Sequence, residues 1–303
     1  MITLAAVPAL NAEFTGWSGD VSGRTDRISL TITADLVATA SFTPRAEPAP
    51  DRGITIAPGE NIQTAIDAHP AGTTFLLGAG THRLQSVRPR SGDVFIGEPD
   101  TILNGAKLVT TWQAQGAYWV ATGQTQQTRI HSGAGCNADS PGCRYGDDLY
   151  LDHVALRQVM SLSAVGPETW YFDYAADLIY MGRDPAGQTM EASVTDNAFS
   201  GSATSVTIDD IIFEKYASRA QHAPIEGQAS TNWVVRNIES RLNHGSGLRT
   251  GDGMQVLNSY FHHNGQQGVG APVATSSCKG TRLATTTPAA SSLTGKAAAQ
   301  SGH

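Results

Sequence analysis

Between Ser205 and Gly270 the apolar positions of the chain recur in columns. The segments "VTIDDIIFEKY", "WVVRNIESRLN" and "MQVLNSYFHHN" place Ile208, Val235 and Val256 in register, at spacings of 27 and 21 residues. Two positions further on stand Asp210, Asn237 and Asn258. Asn and Asp are the non-glycine residues that best tolerate left-handed backbone, which a sharp bend between two strands requires. Ile211, Ile238 and, with slight drift, Phe261 follow as an inward set. A second column, Ile225, Leu248 and Val269, is spaced by 23 and 21 residues. Upstream, "TTFLLGAGTHRL" and "DVFIGEPDTILNGA" set Phe75 and Phe95 20 residues apart, each apolar run closed by glycine. Strand-containing units near that period are the signature of a stacked repeat.

The same region opens with "ITIAPGENIQTAIDAHPAG", a strand and then a short amphipathic helix. Ile62, Ala65 and Ile66 share one helical face, and Pro70 with Gly72 ends it. Such a helix would cover the apolar end and the unpaired strand edge of a repeat stack. From about Ala106 to Val194 the rhythm breaks, predicting a β-rich insertion. Its segments "DDLYLDHVALRQVMSL" and "ETWYFDYAADLIYMGRDPAG" read as hairpins, the second turning at Ala175 and Ala176. Trp112, Trp119, Trp170, Tyr171 and Tyr180 are expected mainly in its core, with a carbohydrate-facing surface as the alternative.

The chain before this region is built differently. "ITLAAVPA", "ISLTITAD" and "VATASFTP" read as short strands, with Ile28, Leu30 and Ile32 alternating against polar neighbours. Phe14, Trp17, Ser18, Gly19, Asp20, Asp35, Ala40 and Phe42 resemble the pattern of the divergent internalin-type B-repeats, small spacer modules of bacterial surface proteins. The opening strand of that module is missing, so residues 1–43 read as a partial module, with Trp17 in a small core. "PRAEPAPDRG" (residues 44–53) reads as a semi-rigid Pro-rich linker.

The segments "ITIAPGENIQTAID" and "GTTFLLGAGTH", the Asn column and the "GSGL" and "QQGV" strand entries resemble the pectin-lyase-like superfamily. That resemblance, over residues 54–270, implies an all-β fold: a right-handed parallel β-helix (solenoid) with a short N-terminal capping helix and a β-rich insertion. These motifs specify fold better than reaction. Composition agrees with a turn-rich, secreted all-β protein: charged residues are 16% and there are 32 glycines. A formal charge of -7 offers no basic field for a nucleic acid, and no run approaches the roughly 20 apolar residues of a membrane span. Cys136 and Cys143, in "CNADSPGC", read as a loop disulfide of an oxidising compartment, or else as two unpaired thiols.

Candidate chemistry sits on the second column. If Ile225 and Leu248 point inward, Glu226 and Arg249 point outward on successive strands. Asp252 follows in the next turn and His244 precedes the strand. Carboxylates beside an arginine suit acid–base attack on a glycosidic bond, or lyase chemistry on a uronic acid; the bland reading is a cross-strand Glu226–Arg249 ion pair with Asp252 and His244 shaping turns. Asp209 and Asp210 resemble the paired aspartates of polygalacturonase-like hydrolases, but no Arg-x-Lys element accompanies them and the pair reads as structural. Calcium would be a cofactor by resemblance, although no ligand set is recognisable. His262 and His263 adjoin in a strand exit, where neighbours should face opposite sides and not share a metal.

From Ala271 the pattern stops. Residues 271–303 read as a disordered Ser/Thr/Ala tail or as the product of a frameshift. With a poor signal-peptide match at the N-terminus, the chain reads as a fragment of an exported, extracellular or cell-surface bacterial protein. The expected activity is carbohydrate-directed, of the glycoside hydrolase or polysaccharide lyase type, with a polysaccharide partner. A non-catalytic surface protein or adhesin is the alternative.

Overall fold

The computed structural model describes residues 2–6, 12–32, 35–44, 53–131, 141–270 and 276–283. The Pro-rich stretch 45–52, Cys136 and residues 284–303 lie outside them, so the linker, the Cys136–Cys143 pairing and most of the tail do too. The chain divides into two compact units, residues 1–52 and 53–303.

In the first unit Ile2–Ala5 pairs antiparallel with Arg27–Leu30, and Ala12–Gly19 with Ala38–Pro44. Phe14 packs edge-on against Trp17 and Phe42, at 5.5 and 5.7 Å between ring centres. The Trp17 indole donates to the Thr25 carbonyl at 2.9 Å. Trp17 thus belongs to a small aromatic cluster. The alternating strand ends at Leu30, leaving Ile32 half exposed.

Among its described residues the second unit is all-β apart from one short α-helix, Ile62–Ala68, and two single turns of 3-10 helix. The Asn61 side chain caps the α-helix by accepting from the Thr64 N–H, and Ile62 and Ile66 are its buried face. Three parallel sheets, of seven, six and four strands, take their members in rotation. Thr207–Asp209, Ile212–Glu214 and Ile225–Glu226 make one circuit; Val234–Arg236, Glu239–Arg241 and Leu248–Arg249 make the next, each strand pairing with its counterpart. Gln255–Leu257, Tyr260–His262 and Val269–Gly270 repeat the cycle.

The register turns sequence columns into layers. Ile54, Phe75, Phe95, Ile208, Val235 and Val256 stack along the seven-stranded sheet, with Phe75 on Phe95 at 5.2 Å. Phe199, Ile225, Leu248 and Val269 form the column of the four-stranded sheet. Each fully buried member of these columns contributes about 1.5–3 kcal/mol by leaving water. Phe261 departs from the expected column: it pairs with Ser240, which pairs with Phe213. The position aligned with Ile238 is instead Ser259, whose hydroxyl lies 3.3 Å from the Ile238 N–H.

Left-handed residues make the corners. Asp210, Asn237 and Asn258 have φ of 53, 55 and 48°, as their residue types require. Ser205 and Asn232 turn a second corner, and Leu84, Lys215, Leu242 and His263 a third, all with φ between 50 and 58°. Buried Asn243 donates its side-chain N–H to the side-chain carbonyl of buried Asn264 in the next circuit, at 2.9 Å.

The pattern also continues past Ala271. Ser277–Lys279 pairs with Gln255–Leu257, and Arg282–Leu283 with Tyr260–Phe261. Cys278 aligns with Val256, and Gly280, at φ 62°, aligns with Asn258. An apolar residue and a left-handed former at the right spacing thus add one strand to each of two sheets within the segment expected to be a disordered or frameshifted tail.

Strands from Ala106–Leu108 to Met190–Ser193 form an eight-stranded, largely antiparallel sheet of their own. Both hairpins form, Leu149–Leu151 with Val154–Gln158 and Thr169–Asp173 with Leu178–Met181. Trp170 is buried and Trp112 packs on the same core. Trp119 pairs with Met181 and is half-buried, whereas Tyr171 and Tyr180 sit half-buried on the opposite face.

Candidate functional site

The outward residues of the four-stranded sheet align as Ser200, Glu226, Arg249 and Gly270. Glu226 Oε1 lies 3.4 Å from Arg249 Nη1, and Oε2 lies 2.9 Å from His222 Nδ1. The 3.5 Å approach of Arg249 Nη1 to the same ring nitrogen is the weaker contact, so the Nδ1 proton is assigned to the bond with Glu226. Glu226 Oε1 is buried and accepts no well-aligned hydrogen bond. A buried carboxylate oxygen without an aligned donor has a lone pair left to meet a ligand.

A second carboxyl, Asp196, interacts with His222. Asn197 Nδ2 donates to the Ala223 carbonyl at 2.6 Å, and Phe199 pairs with Ile225, so the register sets Asp196 beside His222. Burial raises the Asp196 pKa, opposed by attraction to Arg129, Arg219 and His222. Arg129 comes from the insertion, so this end of the sheet is where insertion and circuits meet. Two carboxyls in different surroundings are the arrangement from which an acid and a base are made.

His244 is not part of this group. It is fully buried, with Nδ1 3.0 Å from Asp148 Oδ2 and Nε2 3.0 Å from the Cys143 carbonyl. Both partners accept, so both ring nitrogens donate and the ring is an imidazolium. Burial pulls its pKa down, but the Asp148 carboxylate and the Cys143 carbonyl outweigh that and raise it. His244 therefore fastens the corner before Leu248 to the insertion. Its ring follows Asn243, inside the corner, where strand alternation no longer fixes direction. Asp252 is exposed in the corner after Arg249, its carbonyl accepting from the Asn232 N–H at 2.7 Å and its N–H donating to Ser230 at 3.1 Å.

His222 and Asp196 escaped the sequence reading. His222 lies four residues before Glu226, and Asp196 three before Phe199, which the Ile225 column would have captured had it been carried back one circuit.

The six-stranded sheet carries a second outward ladder: Arg83, Asn104, Glu214, Arg241 and His262, one per strand. Arg241 Nη2 lies 3.0 Å from Glu214, and its Nη1 lies 2.6 Å from Glu239. Buried Lys215 contacts Glu191 of the insertion directly, and Glu191 also holds Arg83 at 2.7 Å. These pairs join the insertion to the sheet. Asp209 is buried, 2.6 Å from Arg236 and bonded to Asn237, and Asp210 forms the corner. The aspartate pair is thus structural. At the end of the ladder the expectation for the two histidines fails: His262 Nδ1 and His263 Nδ1 approach to 2.6 Å. The left-handed φ of His263 cancels the alternation that would have parted them.

Among the described residues no three His, Cys, Asp or Glu side chains converge as a metal site, calcium included. No described helix is long and apolar enough to cross a membrane.

No family model and no curated protein matches the chain. Two solved structures resemble it. XylC in complex with xylose aligns with a TM-score of 0.58 and 13% identity, over 73% of this chain and 50% of that one. A glycoside hydrolase aligns with a TM-score of 0.47 and 12% identity, over 73% of this chain and 67% of that one. The chain thus spans half the length of XylC. At such identity the likeness is one of fold.

Proposed function

We propose that this chain is part of an exported carbohydrate-active enzyme, a glycoside hydrolase or polysaccharide lyase, built on a right-handed parallel β-helix. Each three-strand circuit is one coil, the helix Ile62–Ala68 caps the first, and the first unit serves as a spacer. Export suits a loop disulfide between Cys136 and Cys143. The polysaccharide lies along the outer face of the four-stranded sheet, with Asp196 as the proton donor and Glu226 as the base. Arg249 and His222 hold Glu226 in place, and Arg129 reaches the site from the insertion. The resemblance to the xylose-bound XylC agrees with a sugar ligand, but fold alone does not fix a reaction. The observation that carries the reading is the buried Glu226 Oε1, poised beside Arg249 without an aligned hydrogen bond.

The test is incubation of the protein with acidic and neutral polysaccharides. New reducing ends would identify a hydrolase, and new ends with ultraviolet absorbance from unsaturated uronates a lyase. Glu226→Gln and Asp196→Asn should each lower the rate by 100-fold or more, on the order of general acid–base catalysis. Cleavage that survives both substitutions would remove the site assignment. One observation favours the second reading, a non-catalytic surface protein: Glu226, His222 and Arg249 are already engaged with one another. Binding without cleavage across the panel would support it.

A further inference from the structure

We propose that His262 and His263 form a surface site for a divalent transition-metal ion, bound through their Nδ1 atoms. The proposal is independent of the catalytic reading. Two imidazole nitrogens 2.6 Å apart cannot both point protons at each other. The tautomer of His262 is set from its far side: Nε2 lies 3.0 Å from Glu239 Oε1, an acceptor, so the proton sits on Nε2 and Nδ1 carries a lone pair. Without metal, His263 must then donate its Nδ1 proton to His262. A metal ion takes the place of that proton and receives both lone pairs.

Three further features prepare the pair. The His262 ring stacks on Tyr260 at 4.3 Å, with 22° between planes. Glu239 is itself held by Arg241 at 2.6 Å, so the chain Arg241–Glu239–His262 reproduces the carboxylate-to-histidine support that metal-bound imidazoles commonly have. His263 is fixed in its left-handed conformation by the third corner, its carbonyl accepting from the Leu242 N–H at 3.1 Å. Metal–nitrogen bonds of about 2.0–2.1 Å require the nitrogens to open by roughly half an ångström. His263 is exposed enough to give that. Two imidazoles with water in the remaining positions suit Zn²⁺, Ni²⁺ or Cu²⁺ rather than calcium or magnesium, with Cu²⁺ the tightest.

The experiment uses the full chain after chelator treatment. Titration with CuSO₄ and ZnCl₂ by calorimetry should show one strong site, and the Cu²⁺ form should give an electron paramagnetic resonance spectrum with two equatorial nitrogens. His263→Ala, at an exposed position, should reduce the coupling to one nitrogen and weaken binding at least tenfold. Glu239→Gln should weaken binding by about 10–100-fold while keeping two nitrogens, because it loosens His262 without removing a ligand. Melting temperatures of both variants close to that of the unsubstituted protein would show that the fold is retained. A wild-type spectrum without paired nitrogen coupling, or unchanged binding in His263→Ala, would overturn the proposal.

Discussion

At Gly245 the chain tolerates no side chain. A Cβ there would lie 2.4 Å from the His222 carbonyl and 2.7 Å from that of Arg219. Both are backbone atoms of the segment that carries His222 toward Glu226. Gly245→Ala should therefore cost about 1–3 kcal/mol, read by denaturant unfolding, and should lower any cleavage activity more than stability alone explains. Asp147 offers a second test at this scale. It is buried, and burial raises its pKa to about 6 from the ordinary 3.8, against hydrogen bonds from Thr128 and Tyr174 and attraction to His244. The folded state thus holds a proton that the unfolded chain releases near pH 4, so stability should fall as pH rises from about 4 to 6. The full effect is roughly 3 kcal/mol. His244, also raised, contributes stability that is complete below about pH 6.5 and is lost as pH climbs through its folded value. Asp147→Asn should flatten the lower window and leave the upper one, as followed by melting temperature across pH.

Elements differ in how openly the sequence announces them. The corner of Asp210, Asn237 and Asn258 was readable because those side chains are the ones that accept positive φ. The corner of Leu84, Lys215, Leu242 and His263 was not, because nothing in Leu or Lys signals left-handed backbone; hydrogen bonding by the neighbouring circuits imposes it. The bonding of His244 was hidden for a related reason: its partner Asp148 is 96 residues away in the insertion, beyond the reach of any local pattern. The Glu226–Arg249 pairing was found because two strands in register require it. Replacing Asn237 by Ala should destabilise the protein by about 1–2 kcal/mol, the cost of left-handed backbone for a side chain with a Cβ and no compensating local hydrogen bond. Replacing Leu242 by Gly should recover part of that cost at its own corner. Paired melting curves of the two variants would check the contrast.

For the whole second unit, the joint between insertion and circuits is electrostatic as well as apolar. Lys215 has no exposure and is held by Glu191 and Glu214. Glu191→Ala should cost about 3–5 kcal/mol, since it strands a buried ammonium. Glu191→Ala with Lys215→Met should recover much of the loss, measured as a double-mutant cycle of unfolding free energies. The insertion leaves and rejoins the circuits at one point. The Val194 and Thr195 N–H groups both donate to the Gly105 carbonyl at 3.0 Å, and Ala106 pairs with Ser193. Such a pinched neck makes the eight-stranded sheet a cassette: evolution or an engineer can swap its contents between Gly105 and Val194 without re-threading the stack. Any replacement inherits two obligations, an anion presented to Lys215 and acceptors for the buried His244 ring, and a cassette that lacks them will be rejected by the scaffold however well it folds on its own.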